Sequence, residues 1–470
     1  MSRGNGEFQV LVKSLRLMLW LVCSVVTVVP EALSAEAPPN IVVILADDHT
    51  YRDFGFMGNV AVQTPHLDRL ASESALFPNG YVPMSVCRPS LATVLTGLYP
   101  HQHGIYFNHP PPGLAEMRKL SAEEYHQARR VTDPLIRQRA TLPRILTEQG
   151  YVSLQTGKHW EGHFTDAGFT HGMTTGRPTP ADRYGTRLQN GEPVAHGNGD
   201  AGLAIGRDTM QPIATFLDEQ VRGKPFLIWY APFLPHVPFD AGPEFQEPYR
   251  KQGLPAQLRA YYAEITRFDH TVGQLREMLA QRSLTHNTLI VFASDNGYRP
   301  EESENKSSSP RADARSKWSA HEDGIRTPLL FNWPGKIAPA RYEGLVQTVD
   351  LLPTIAAAAG CEQALPKNLP GQNLLPVCLG EAELPQRPAF GAIYPNDATE
   401  LNAPENHVLA RWMRLQKFKL IVPEGDNPDI PLQLYDLQRD PAEYQNLADD
   451  PAYRVALSRL MLPLNAWWQP

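Results

Sequence analysis

The chain has 470 residues, of which 42% are hydrophobic and 20% charged, with a formal net charge of −7. That composition supplies a large apolar core and excludes both a disordered chain and one small domain. The negative balance speaks against a nucleic-acid backbone as the main partner, and four cysteines exclude a disulfide scaffold.

In chain order, Arg3, Lys13 and Arg16 precede an apolar run from Leu17 to Val29, followed by small residues around Ala35 and Ala37. This is the pattern of a cleaved secretory signal over residues 1–37. The run is shorter than the roughly 20 residues a membrane span needs. The expected product is exported (periplasmic or extracellular), with no stable membrane span after cleavage. Cys23 leaves with the signal, so Cys87, Cys361 and Cys378 remain. Cys361 and Cys378 either pair in an oxidising compartment or stay as buried thiols.

Asn40 to Ala46 is a β-branched apolar run, as expected of a strand buried on both faces. Further strands are expected at Tyr151–Gln155, Pro225–Ala231 and Thr288–Ser294. Helical spacing appears at Leu67, Leu70 and Ala71, at Leu142, Ile145 and Leu146, and over Gln257–Arg282. Strands alternating with helices predict an α/β fold: a large, mainly parallel sheet sandwiched by helices, over residues 38–380. The alternation fades beyond that, which predicts a smaller C-terminal α+β subdomain over 381–470. The stretches 108–140, 164–200 and 301–315 read as loops.

Ligands in such sheets sit at the carboxyl ends of strands. Asp47 and Asp48 end one expected strand, and Asp295 and Asn296 end another. This oxygen-donor set suits a hard cation such as Ca²⁺ or Mg²⁺. Cys87 begins a helical pattern with Pro89 in its first turn, where backbone N–H groups favour an anion. Lys158, His159 and His163 follow one strand, and His236 follows another. Lys317 precedes Glu322-Asp323-Gly324-Ile325-Arg326. Strand-end Lys and His residues can hold an anionic group and move protons.

Together these blocks resemble the sulfatase family of the alkaline phosphatase superfamily. NIVVILADDHTYRDFG, TPHLDRLASESALFPNGYV, CRPSLATVLTGLYPHQHG, LQTGKHWEGH, PFLPHVPF, VFASDNG, KWSAHEDGIRTPLLFNWPGKI and LYDLQRDPAEYQNLA occur in the family's order. The resemblance implies an alkaline-phosphatase-like fold with a catalytic domain over 38–380. It implies hydrolysis of sulfate esters, most plausibly of sulfated carbohydrates. Cys87 would be converted to formylglycine (3-oxoalanine) by formylglycine-generating machinery, its hydrated aldehyde being the nucleophile. Asp47, Asp48, Asp295, Asn296 and the modified Cys87 would hold one divalent cation, Ca²⁺ ahead of Mg²⁺. Lys158 and Lys317 would hold sulfate oxygens, and His236 would serve the leaving group. The chain departs from the family at two places. Leu91 stands where the signature has arginine, and GKHWEGH replaces Gly-Lys-Trp-His. The second catalytic histidine would then be His159 or His163; neighbouring residues of an extended segment point oppositely, which favours His163. Two alternatives remain: a phosphodiesterase or phosphonate monoester hydrolase on the same scaffold, and a sulfated-glycan-binding homologue without turnover.

Overall fold

The computed structural model describes residues 37–176, 184–194, 200–301, 313–425 and 430–470. The expected leader and most of the 301–315 stretch lie outside these residues. Among the described residues, no helix is long and apolar enough to cross a membrane.

The first strand, β1 (Asn40–Ala46), is buried along its whole length. Successive side chains of a strand face opposite sides, and here each side meets its own core. Ile41, Val43 and Leu45 pack with Leu95, Leu146 and Ile355. Val42, Ile44 and Ala46 pack with Leu67, Leu70, Phe268 and Leu275. Helices therefore cover both faces, which is why the strand carries no polar alternation.

Around β1 lie β2 (Ala75–Tyr81), β3 (Val152–Gly157), β4 (Phe226–Ala231), β5 (Thr288–Ser294) and β6 (Arg326–Asn332). Among the described residues the sheet has nine strands, with β2-β6-β5-β1-β4-β3 as its continuous centre and short strands at its margins. The strands β3, β4, β1 and β5 run parallel, and β6 is antiparallel to both β5 and β2. The register decides where the chemistry falls. Ala46 lies opposite Ser294, and Gly157 lies opposite Ala231. The residues that follow, Asp47, Lys158 and Asp295, thus leave the sheet at one edge. The antiparallel β6 starts at that same edge, so the segment before it, with Lys317, returns there.

The long helix spans Ala256–Gln281, one residue from the predicted limits at each end. The C-terminal part is an antiparallel sheet of β7 (Ala389–Ile393), β8 (Ala410–Leu415), β9 (Phe418–Pro423) and β10 (Gln433–Asp436). One face takes Leu460 and Leu464 of a closing helix against Met413, Leu420 and Leu434. The other packs Trp412 and Ile393 against Tyr81 and Val82 at the end of β2. Residues 38–470 form one compact unit.

Two expectations are corrected or resolved. The 108–140 stretch is not a plain loop: it holds short helices at Leu114–Met117, Ala122–Arg130 and Asp133–Arg137. The middle one starts at a capping box, in which Ser121 and Glu124 satisfy each other's backbone N–H groups. Cys361 and Cys378 are both free thiols buried in one apolar core.

Candidate active site

At the strand ends, Asp48 adopts a left-handed backbone (φ 65), which Asp tolerates better than most residues. This turns its N–H onto Asp295 Oδ1 at 3.0 Å. The Asn296 N–H donates to the same oxygen at 2.6 Å, and Asn296 Nδ2 donates to Asp48 Oδ1 at 2.7 Å. The two acidic motifs, far apart in sequence, are therefore stitched into one buried cluster. Lys158 Nζ donates to both oxygens of Asp47, at 2.7 and 2.8 Å. Lys317 Nζ donates to both oxygens of Asp48, at 2.6 and 2.9 Å, and lies 3.2 Å from Cys87 Sγ. His236 Nε2 is 3.4 Å from Asp48 Oδ2.

Cys87 is the first residue of the helix Cys87–Thr96, after an extended Val86. Its Sγ is 3.7 Å from Asp47 Oδ1 and 3.8 Å from Asp48 Oδ1. Burial pushes the thiol well above its usual range, against the pull of Lys158 and Lys317. Burial also raises Asp295, helped by the charge of Asp47. Burial opposes the charge on Lys317, but Asp48 and its neighbours lift it well above the usual value. Burial, with Lys158 and Lys317, pushes His236 well below its usual range.

The donor set fits a hard cation. Asp295 Oδ2 and Asn296 Oδ1 are buried without a hydrogen-bond partner, a costly state unless another group completes them. Ligand atoms of Asp47, Cys87 and Asp295 lie within 4.8 Å of one another, as do those of Asp47, Asp48 and His236. Carboxylate and amide oxygens suit Ca²⁺ or Mg²⁺ rather than a soft metal.

The two remaining histidine candidates sit elsewhere. His163 accepts from the Thr165 N–H and caps the short helix Phe164–Ala167. His159 is buried edge-on to Phe169, and burial lowers it to about 4. Among the described residues, neither ring hydrogen-bonds to the cluster. Lys158 is flanked instead by Trp160, whose ring centroid is 5.8 Å from Nζ.

Three arginines take partners that the sequence does not disclose. Arg88 turns away from the acids and pairs with Glu161 through Nε and Nη2, at 2.7 and 2.9 Å. Arg129 lies 4.9 Å from the Trp160 ring centroid, on its face. Arg207 grips the loop that carries His236: it donates to the carbonyls of Phe233 (2.7 Å), Pro238 (3.2 Å) and His236, and to Asp240. Arg88 had a local signal beside Cys87, and Glu161 had one as an acid inside a lysine- and histidine-bearing motif.

Comparison with known proteins agrees with this geometry. The sulfatase family model matches residues 39–361, and the model for the C-terminal part of N-sulphoglucosamine sulphohydrolase matches 315–467. Arylsulfatase A of Bos taurus is 30% identical over 465 residues, covering 89% of this chain and 85% of its own. N-acetylgalactosamine-6-sulfatase of Homo sapiens is 28% identical over 76% of this chain and 69% of its own. The crystal structure of Ps i-CgsB in complex with k-i-k-neocarrahexaose superposes with a TM-score of 0.66, at 26% identity and 92% coverage of both chains. With a strand-end acid cluster, a helix-start cysteine and a family match over most of its length, the chain belongs to the sulfatase family and is a sulfuric ester hydrolase.

Proposed function

We propose that the chain releases inorganic sulfate from sulfated carbohydrates, with Cys87 matured to formylglycine and Ca²⁺ held by Asp47, Asp48, Asp295, Asn296 and residue 87. The observation that carries this reading is the setting of Cys87. Its sulfur sits at a helix start, 3.2 Å from one ammonium and under 4 Å from two carboxylates. A thiol whose ionisation burial opposes is a poor nucleophile as it stands. When present, the hydrated aldehyde supplies the attacking oxygen, and the cation polarises the sulfate.

The chain's own residues then have these tasks. Lys158 and Lys317 direct ammonium groups at the ester's sulfate oxygens and offset charge that grows as the S–O bond breaks. His236 faces the cluster; the negative charge of a bound sulfate offsets the lysines that disfavour its protonation, so that it can donate a proton to the departing sugar oxygen, with Lys317 beside it. His163 caps a turn and His159 packs on Phe169, so proton transfer falls to His236 and Lys317. Phe233, stacked on the His236 ring at 4.3 Å, limits water there. The substrate class follows from the sugar named in one relative and the sugar bound in one neighbour. We also propose that residues 1–37 direct export, that 38–380 is the catalytic domain and 381–470 a subdomain, and that formylglycine-generating machinery acts on Cys87 despite Leu91.

The test is mass spectrometry of the Cys87 peptide from protein made in its native host, with sulfate release assayed in parallel. The expected peptide carries an aldehyde in place of the thiol. An intact thiol together with no sulfate release overturns the proposal, and faster turnover of matched phosphate or phosphonate esters points to the alternative hydrolase.

A further inference from the structure

Next to Lys317 stands Trp318, at φ 69. A left-handed backbone is costly for a bulky L-residue and persists only where its surroundings impose it. Here the Trp318 N–H donates to Ser85 O at 3.1 Å, two residues before Cys87. That bond ties the tryptophan to the nucleophile segment. The Lys317 ammonium lies on one face of the indole, 5.6 Å from its centroid, and the same ammonium is 3.2 Å from Cys87 Sγ. The ring is thus only two short steps from the reacting position. Yet Trp318 is 47% exposed, while Trp160, Trp229 and Trp412 are at most 3% exposed. The left-handed backbone has a local cause, a turn closed by the Ser319 N–H on Ser316 O at 3.1 Å, and it leaves about half of the indole in solvent beside Lys317.

We infer that Trp318 is the stacking platform for the pyranose ring that bears the sulfate ester. This rests on the sulfatase reading of Cys87 and Lys317 and goes beyond it by naming what the leaving group must present. A sugar sulfate has a charged end, which the lysines take, and a ring with one C–H-rich face. That face is weakly polar, and the negative face of an aromatic ring attracts its C–H groups. With one indole face against Lys317, the exposed remainder receives the sugar. An acyclic sulfate ester has no such face and gains nothing from Trp318.

The test measures binding without turnover. Ca²⁺-loaded Cys87→Ala protein is titrated calorimetrically with galactose 6-sulfate, glucose 6-sulfate, N-acetylgalactosamine 6-sulfate and, as the acyclic control, ethyl sulfate. At least one ring sulfate binds more tightly than ethyl sulfate. Adding Trp318→Ala weakens that ring sulfate about tenfold, the scale of one aromatic contact, and ethyl sulfate less than twofold. Trp318→Phe restores most of the loss, and thermal melts of all variants report folding. Equal losses on ring and acyclic sulfates, no loss on either, or no preference for any ring sulfate each overturn the inference. Sulfate release by protein with Cys87 intact is read separately. Its absence removes the hydrolytic reading, whereas Trp318-dependent sugar binding stands or falls by calorimetry.

Discussion

Replacing Arg88 by Met tests how the nucleophile's helix is anchored. The Arg88 side chain is 1% exposed and that of Glu161 is 3% exposed. The pair is bidentate, and Arg88 Nη2 also donates to Thr132 Oγ1 at 2.8 Å. Arg88→Met leaves the Glu161 carboxylate buried without its guanidinium. Breaking a buried pair from one side costs about 3–5 kcal/mol, whereas replacing both partners by apolar residues is often close to neutral. Scaling the usual shift per kcal/mol to a chain of this size gives a fall in Tm of about 3–6 °C for the single variant. The double variant Arg88→Met with Glu161→Met recovers most of it. Activity follows the same order, because Arg88 adjoins Cys87 and Glu161 lies three residues past Lys158: the link sets those two groups relative to each other. Scanning calorimetry on wild type, both single variants and the double variant completes the cycle, with kcat/KM measured below the lowest transition. A single variant as stable as wild type, or a double variant no better than Arg88→Met, refutes the anchoring role.

Arg207→Met should act through His236, whose carbonyl Arg207 holds. Its kcat on alkyl sulfates, which need a proton on the leaving oxygen, should fall about ten- to a hundredfold, while turnover of aryl sulfates with acidic leaving groups changes little; equal losses on both would show only general damage. His101→Phe tests a buried neutral histidine packed against Tyr99, Trp467 and Trp468. Burial lowers His101 to about 4, so the folded state binds its proton less readily than the unfolded chain. Its contribution is complete above about pH 6.5 and is lost as pH falls toward 4. His101→Phe should therefore lose less Tm than wild type between pH 7 and 4.5, and parallel Tm–pH curves would dismiss this.

The sequence revealed more of the parallel sheet than of the walls around its edge. The run Asn40–Ala46 reads as a buried strand because both faces are covered, and strand ends in such a sheet are where ligands gather. That logic puts Asp47, Asp48, Asp295 and Asn296 together. It could not place Lys158 on Asp47 or Lys317 on Asp48, pairs 111 and 269 residues apart. Those depend on register and on where the antiparallel β6 begins. Alternation favours His163 over His159, but the capping role of His163 comes from Thr165 and a turn whose geometry alternation does not encode. The helices of 108–140 were hidden by their shortness and by proline, although Ser121 and Glu124 carried a readable cap. Arg207 had no local signal, because its importance lies in carbonyls that a distant loop turns toward it.

Leu91 has a physical meaning that the bare motif lacks. It lies one helical turn beyond Cys87, is 5% exposed and packs in the same core as Leu95, Leu142 and Ile145. An arginine here would have to carry its charge past this apolar layer to the strand ends, as long side chains can. Leucine ends within the layer and gives its volume to the core. The cation next to Cys87, Arg88, faces Glu161 instead. Toward the reacting position the described residues offer Lys158 and Lys317 as positive groups, paired with Asp47 and Asp48. Two ammonium groups matched by two carboxylates leave no net attraction for a sulfate ester. A divalent cation on those carboxylates makes the balance positive. Substrate affinity in this chain would therefore depend on metal occupancy of the carboxylate cluster.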